Sequence, residues 1–253
     1  MSDKGFVKCN IIDGVGEIEF YHPKSNSLPS VLLNELSEGL QKFGNDTSVK
    51  VILLSSSGEN TFCAGASFDE LLNLSSEEEG ALFFSGFAKV ILSIKEARKF
   101  VVVKVQGKTV GGGLGIVCAA DYSIAIESAS VKLSELSIGI GPFVIGEVVK
   151  RKIGLSNFSN LAINSSEWKS AQWAVQKGLY SEVVEDVGML DSRTKSLIGN
   201  LVDYSPEATI QIKNMFWEKS EGLDDLMKQK AKQSGRLVLS AFTRQILNRF
   251  KKK

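Results

Sequence analysis

Two glycine-containing loops are the parts of this sequence whose residue types point most directly to ligand chemistry. The first loop, residues 61–68, reads Thr-Phe-Cys-Ala-Gly-Ala-Ser-Phe, and the second, residues 105–115, contains Gly111-Gly112-Gly113. Small residues let a ligand approach the main chain closely and allow positive φ angles. A helix that begins near Gly112 would direct free N–H groups and its positive dipole end at a ligand oxygen. Taken alone, either loop is equally well explained as a tight turn between strand and helix.

Several other kinds of site are excluded. The spacing around Gly111 is not the G-x-G-x-x-G of dinucleotide sites, and no P-loop Gly-Lys-Ser/Thr follows it. The only histidine is His22, which excludes zinc catalysis by several histidines and any histidine triad built elsewhere. We interpret His22 as an ordinary loop residue. Cys9, Cys63 and Cys118 show neither CxxC spacing nor a disulfide framework, so we expect no metal and a reducing compartment.

Composition narrows the class of protein further. The chain has 253 residues with 43% apolar and 23% charged residues, which suits one globular unit with a sizeable core. Its 30 basic and 29 acidic residues leave a net charge of +1, which argues against a nucleic-acid partner. Residues 1–5 lack the pattern of a signal peptide, and no apolar run is long enough for a membrane span. We therefore expect a cytoplasmic protein without a membrane partner.

The predicted secondary structure places both loops in an α/β arrangement. Alternating apolar residues predict a hairpin around Asp13-Gly14. The predicted strands are 6–12, 14–21, 49–55, 101–105, 121–126 and 178–184. The predicted helices are 29–43, 77–98, 166–176, 186–201, 205–217, 223–232 and 235–250. We interpret residues 1–195 as the core domain and residues 196–253 as a C-terminal helical region.

The loops and two further segments resemble the enoyl-CoA hydratase/isomerase (crotonase) family. Residues 15–28 are similar to its opening strand and Pro-Lys…Asn-x-Leu segment, and residues 62–66 to its F-x-A-G-A/G loop. Residues 107–121 are similar to its G-x-x-x-G-G-G helix start, and residues 133–140 to the strand and turn that carry its catalytic glutamate, here Glu135. Nearly the whole chain takes part, and the motifs are closest to bacterial enoyl-CoA and methylglutaconyl-CoA hydratase-like members.

The resemblance implies a fold and a set of roles. The fold would be a spiral of ββα units with a helical C-terminal region, assembled as a homotrimer or a dimer of trimers. The substrate would be an acyl-CoA thioester, with coenzyme A as part of the substrate and no separate cofactor. The N–H groups of Ala66 and Gly112 would form an oxyanion hole, where losing one donor typically costs about 3 kcal/mol. The coenzyme A contacts would come from Lys24, Cys63, Ala64 and Gly65.

The sequence departs from the family pattern at two positions. Hydratases of the family typically hold one water between two glutamates, and Glu135 matches the second of them. The position of the first is occupied by Gly115, which supplies neither acid nor base. Ser67 also stands where the family usually has an aspartate. The resemblance therefore leaves one candidate acid/base and leaves the support of the first loop open.

Several reactions remain compatible with Glu135 alone. A single base suits a 1,3-proton shift, and 3,2-enoyl-CoA isomerases of the family keep only the later glutamate. The hydratase-like relatives also lack the first glutamate, and they favour hydration of a 2-enoyl-CoA, with Glu135 as general acid and base. Decarboxylation of an acyl-CoA and a non-catalytic acyl-CoA-binding role stay open. We expect Leu82, Phe83 and Phe87 of the long helix, together with Phe143, to line an acyl pocket for a chain of unspecified length and branching.

Overall fold

The computed structural model describes residues 5–251, with side chains as far as Arg249. The segment examined for a signal peptide therefore lies, apart from Gly5, outside the described residues. The strands are β1 Phe6–Ile12, β2 Val15–Tyr21, β3 Val51–Ser56, β4 Thr61–Cys63, β5 Phe100–Val105, β6 Lys108–Val110, β7 Tyr122–Ile126, β8 Ser130–Lys132, β9 Lys169–Ser170 and β10 Glu182–Val184.

The helices complete the element order. They are α1 Ser30–Asn45, α2 Phe68–Asn73, α3 Glu77–Glu96, α4 Gly112–Ala119, α5 Phe143–Ile163, α6 Ala171–Gln176, α7 Val187–Val202, α8 Pro206–Phe216, α9 Leu223–Val238 and α10 Ala241–Lys251, with a 3₁₀ helix at Glu135–Ile138. Among the helices of residues 5–251, none combines the length and apolar character that crossing a membrane would need.

The larger sheet carries the predicted hairpin at one edge. Within the described residues it has six strands in the order β1-β2-β3-β5-β7-β10. The hairpin turns at Asp13 (φ 48°) and Gly14 (φ 82°), and two successive positive φ angles are what the favoured two-residue hairpin turn requires. The other strand pairs are parallel. The apolar strands β3, β5 and β7 are mostly buried because helices cover the sheet.

A smaller sheet, in the order β4-β6-β8-β9, runs beside the larger one. Each of β3, β5 and β7 leads into a strand of the smaller sheet and then into a helical segment. This repeated strand–strand–helix order is the expected spiral of ββα units, so the predicted fold class is confirmed. The three-residue strands of the smaller sheet were not predicted, since they are too short to show an alternating pattern.

Four predicted segments are corrected by the structure. The helix predicted at 166–176 begins only at Ala171, because Lys169–Ser170 pairs with β8 instead. The break predicted between the helices 223–232 and 235–250 lies further along the chain, because α9 continues to Val238. The segment 133–140, expected to be a strand and turn, forms a 3₁₀ helix after β8 has ended.

Helix α5 was missed altogether. Its first turns, residues 143–149, are apolar apart from Gly146 and Glu147, and so short an apolar run does not distinguish a helix from a buried strand. A non-helical residue, Gly154 (φ 78°), also interrupts it. The helix covers α4 and therefore forms one wall around the second glycine loop.

The C-terminal helices pack on the core. Helix α9 crosses α3 at Gly80 and Gly235, where a Cβ atom on Gly80 would lie 2.6 Å from the Cα atom of Gly235. Glycine at both positions allows the two backbones to touch. Met227 and Ala231 of α9 belong to the main hydrophobic core. The predicted division after residue 195 falls inside α7 and stays a prediction.

Candidate active site

Three chain segments leave the smaller sheet at one edge. Strands β4, β6 and β8 are parallel, so their carboxyl ends lie side by side, which is where α/β proteins commonly bind ligands. The segments that follow these strands carry Ala66, Gly112 and Glu135, respectively. The topology thus brings together the three residues that the sequence analysis assigned to the reaction.

The first glycine loop is fixed by a short bridge to residue 28. Leu28 N–H donates to the carbonyl oxygen of Gly65 at 2.7 Å, and Ser67 N–H donates to that of Leu28 at 3.3 Å. Gly65 has φ 83°, and a Cβ atom there would lie 2.9 Å from the carbonyl oxygen of Val110. Only glycine combines this conformation with so close an approach of the second loop.

The N–H groups of Ala66 and Gly112 are free to bind a ligand. Within the described part of the chain, neither group donates a hydrogen bond to a protein atom. Gly112 is the first residue of α4, and the first N–H groups of a helix have no partner within it. Both residues line the same cavity, so two main-chain donors are available to one ligand oxygen.

Glu135 places a carboxyl group in this cavity. The residue as a whole is half-buried, but Oε2 is buried and has no hydrogen-bond partner among the described residues. Burial raises the pKa of the carboxyl group to about 7, against an opposing effect of the residue's own backbone N–H. Gly111 (φ 53°) makes room for it, since a Cβ atom there would lie 2.8 Å from Oε1.

The cavity is narrow and mostly apolar. Its volume is about 50 Å³, which is room for a few water molecules rather than for a long acyl chain. Its polar side chains, among the residues described, are Ser134, Glu135 and Ser234. A carboxylate in such surroundings is poorly solvated, which is the physical cause of its raised pKa.

Position 115 is closed to any side chain. A Cβ atom on Gly115 would lie 2.4 Å from Cγ2 of Ile145 and 3.4 Å from Cδ1 of Ile91. Ile145 from α5 therefore fills the space into which a glutamate at this position would project. The missing first glutamate is replaced by apolar packing, and Glu135 is the one carboxyl group among the residues that line the cavity.

The residues predicted for the acyl pocket are only partly brought together. Phe87 and Phe143 line the cavity. Leu82 is 69% exposed, and Phe83 packs in the core against Phe84 and Phe87. Helix α3 thus contributes Phe84 and Phe87 rather than Leu82 and Phe83, because residues 82 and 87 face different directions on a helix.

The residues expected to contact coenzyme A lie near the mouth of the cavity or beneath it. Ala64 and Gly65 line the cavity, and Ala64 N–H donates to the carbonyl oxygen of Ser25 at 3.1 Å. Lys24 is exposed and forms an ion pair with Asp69. The Cys63 side chain is buried under Gly113, and burial raises the pKa of its thiol to about 12, so it is no nucleophile.

Ser67 supports the first loop in place of the usual aspartate. Its hydroxyl group accepts a hydrogen bond from Glu70 N–H at 3.4 Å and so caps α2. Glu70 in turn accepts hydrogen bonds from the backbone N–H and the hydroxyl group of Ser30. The loop is thereby tied to the start of α1, and the support that the sequence left open comes from a helix cap.

Ser234 is the cavity residue that sequence analysis missed. It lies on α9, far from the two glycine loops in sequence, and is 1% exposed. Its neighbours in the sequence, Gln233 and Gly235, form no known catalytic motif with it.

His22 forms a hydrogen bond with Ser27 at 3.0 Å and does not line the cavity. Among the described residues, no three His, Cys, Asp or Glu side chains lie close enough to hold a metal ion.

Comparison with known proteins gives one consistent answer. The family model described as "Enoyl-CoA hydratase/isomerase" matches residues 10–245. A "Probable enoyl-CoA hydratase" of Bacillus subtilis is 28% identical over 87% of this chain and 86% of its own. A "Carnitinyl-CoA dehydratase" of Proteus mirabilis is 27% identical over 81% of this chain and 77% of its own. An enoyl-CoA hydratase structure from Bacillus halodurans superposes with a TM-score of 0.89, at 23% identity, over 96% of this chain and 99% of its own.

The close approach of Gly111 to Glu135 can be tested by paired alanine substitutions. Gly222→Ala introduces strain alone, since Gly222 has φ 74° and an added Cβ atom would meet nothing within 4 Å; we expect a loss of about 1 kcal/mol in the free energy of unfolding. Gly111→Ala combines the clash with the carboxyl group and the strain of φ 53° and ψ −120°, a conformation that suits glycine alone, and we expect a loss of roughly 2–4 kcal/mol. Urea unfolding followed by circular dichroism measures both.

A double-mutant cycle isolates that clash. In a Glu135→Ala background the carboxyl group is gone, so the loss caused by Gly111→Ala should shrink by about 1–3 kcal/mol and leave only the backbone strain at φ 53° and ψ −120°. An undiminished extra loss in that background would show that the carboxyl group does not lie against Gly111.

Proposed function

The chain belongs to the enoyl-CoA hydratase/isomerase family, and from that premise we propose that it is a lyase that adds water to a 2-enoyl-CoA thioester. The observation that carries the proposal is the carboxyl group of Glu135, whose buried Oε2 has no partner, in a cavity that is also lined by Ala66 and Gly112 with their two free main-chain N–H groups. A base and two hydrogen-bond donors for an oxyanion, placed in one apolar cavity, suit proton transfer at the carbon atoms next to a thioester carbonyl group.

The thioester oxygen would bind between the two N–H groups. Attack of water at the β-carbon of the enoyl group moves the double-bond electrons toward this oxygen and makes an enolate. Fixed donors in an apolar site stabilise the charge without reorganising, and each is worth about 3 kcal/mol in typical enzymes. Ala66 and Gly112 are suited to this role because loop geometry, rather than a flexible side chain, fixes their N–H groups.

A single carboxyl group can complete the hydration. The ionised Glu135 carboxylate takes one proton from water as the water oxygen bonds to the β-carbon. The same carboxyl group then gives that proton to the α-carbon, the enolate collapses to the thioester, and Glu135 is ionised again. A pKa of about 7 suits both steps, because neither protonation state is strongly disfavoured near neutral pH.

The coenzyme A part would bind at the mouth of the cavity. We assign its adenine to the main chain of Cys63, Ala64 and Gly65, of which the last two line the cavity. Lys24 would contact the phosphates; it is exposed and its partner, Asp69, is exposed as well. Exchange of an exposed carboxylate for a phosphate costs little, because surface ion pairs contribute little stability.

A 3,2-enoyl-CoA isomerase is the second candidate. The observation in its favour is the packing of Ile145 against Gly115, which leaves the cavity without a second carboxyl group. In an isomerase Glu135 would remove a proton from one carbon and return it two carbons away, with no attacking water. The two candidates therefore differ in whether water is consumed.

Product analysis tests the proposed reaction. We expect incubation with a panel of 2-enoyl-CoA and 3-enoyl-CoA thioesters, including methylglutaconyl-CoA, to convert a 2-enoyl substrate to a product heavier by one water, read by mass spectrometry. Glu135→Gln should lower this turnover by at least about 1,000-fold, since the amide can neither take nor return the proton. Retention of the variant on immobilised coenzyme A should be unchanged.

The other outcomes separate the alternatives. Conversion of a 3-enoyl to a 2-enoyl thioester at unchanged mass would show an isomerase, and loss of carbon dioxide would show a decarboxylase. Binding of thioesters without any turnover by the wild type would contradict an enzymatic role.

We also propose that the chain assembles as a homotrimer or a dimer of trimers. An apolar groove beside the cavity is lined by Leu136 and Ile163, which are 53% and 70% exposed, and such patches favour association. Light scattering should give about three or six times the 27.5 kDa chain mass. Ile163→Lys should lower that mass, whereas Val31→Lys, at a 55% exposed apolar site on α1, should not. A monomeric wild type would contradict the proposal.

A further inference from the structure

The Ser234 side chain is a polar group that the reaction described so far does not use. It lies on α9, is 1% exposed, and lines the cavity that holds Glu135. Its hydroxyl group makes no hydrogen bond to any described residue, unlike Ser85 on α3, whose hydroxyl group donates to the carbonyl oxygen of Ala81. A hydroxyl group that reaches the cavity without a protein partner is available to bind a ligand or a water.

The backbone that carries Ser234 is held firmly in place. The next residue, Gly235, lies so close to α3 that an added Cβ atom would be 2.5 Å from Ala81 N and 2.7 Å from the carbonyl oxygen of Glu77. Interhelical contact at this distance leaves α9 little freedom to shift along α3. The position of the Ser234 hydroxyl group is therefore set by a close helix crossing, which suits a group that must orient a small ligand.

Hydration needs more than a base. A water molecule that attacks carbon must present a lone pair to it, and this orientation requires hydrogen bonds to both of its hydrogens. Glu135 accepts one of them. At position 115, where a second acceptor would otherwise project, the space is filled by Ile145. Besides main-chain carbonyl groups, the polar side chains of the cavity that can supply the second acceptor are Ser134 and Ser234.

The two serines differ in burial. Ser134 is only partly buried and precedes the 3₁₀ helix, so solvent can satisfy its hydroxyl group. Ser234 is 1% exposed and comes from α9, so Ser234 and Glu135 reach the cavity from different elements of the fold. The burial and the absence of a protein partner favour Ser234.

We propose that the Ser234 hydroxyl group is the second hydrogen-bond acceptor for the water that Glu135 activates, and that it binds the β-hydroxyl group of the product. This inference rests on the proposed hydratase function. Ser234 stays neutral throughout: one water proton goes to Glu135 and then to the α-carbon. The other remains on the oxygen, where it donates to Ser234 Oγ before and after the carbon–oxygen bond forms. Atoms and charge balance without a further reactant.

Ser234→Ala separates this role from simple packing. We expect the rate of hydration of a 2-enoyl-CoA to fall about tenfold, the equivalent of one hydrogen bond. The exchange of the α-proton of a saturated acyl-CoA in D₂O, which needs Glu135 but no attacking water, should change by less than about twofold. Ser85→Ala, which removes a helical serine hydroxyl group outside the cavity, should leave both rates unchanged.

The possible results are distinguishable. Unchanged hydration in Ser234→Ala, or an equal fall in hydration and α-proton exchange, would overturn the assignment of Ser234. A loss of hydration in Ser134→Ala but not in Ser234→Ala would overturn it as well. Absence of hydration in the wild type would instead refute the proposed function, before any variant is compared.

Discussion

Burial of the Glu135 carboxyl group in an apolar cavity disfavours its charged form, and this constraint shapes the whole site. A rise in pKa from 4.5 to about 7 corresponds to a desolvation cost on the order of 3 kcal/mol in the charged state. Since the unfolded chain loses this proton at the ordinary pKa and the folded chain only near 7, the stability falls as the pH rises through that interval. Burial of the Glu135 carboxyl group therefore has two effects. It destabilises the fold above neutral pH, and it lets the carboxyl group take up and release a proton at neutral pH.

The rest of the structure keeps that carboxyl group enclosed. Parallel strands place the two glycine loops and Glu135 at one edge of the smaller sheet. Ile145 from α5 closes the space over Gly115, and α9 meets α3 at Gly80 and Gly235. Close contacts of this kind exclude water and resist movement of the helices, because a close-packed interior has few voids into which atoms could move. Stability and site geometry therefore depend on the same glycine positions.

Much of the candidate site could be predicted from the sequence, because the resemblance to the family implied Ala66, Gly112 and Glu135, and these three residues line one cavity. Hairpin and strand patterns predicted the larger sheet. The missed parts depend on distant contacts instead. The short apolar run at the start of α5 does not distinguish a helix from a strand, and Ser234 gains its place only through the crossing of α9 with α3, which no local pattern encodes. The place of these parts follows only from the three-dimensional arrangement of the chain.

The most direct test of this account is the titration of Glu135 itself. Glutamate labelled with ¹³C at the side-chain carboxyl carbon, with the Glu135 signal assigned by its disappearance in Glu135→Gln, reports the pKa of this one group by NMR. The account predicts a midpoint near 7, well above the ordinary value of 4.5. A midpoint close to 4.5 would show that water solvates the carboxylate, and would contradict the enclosed cavity on which the proposed chemistry depends.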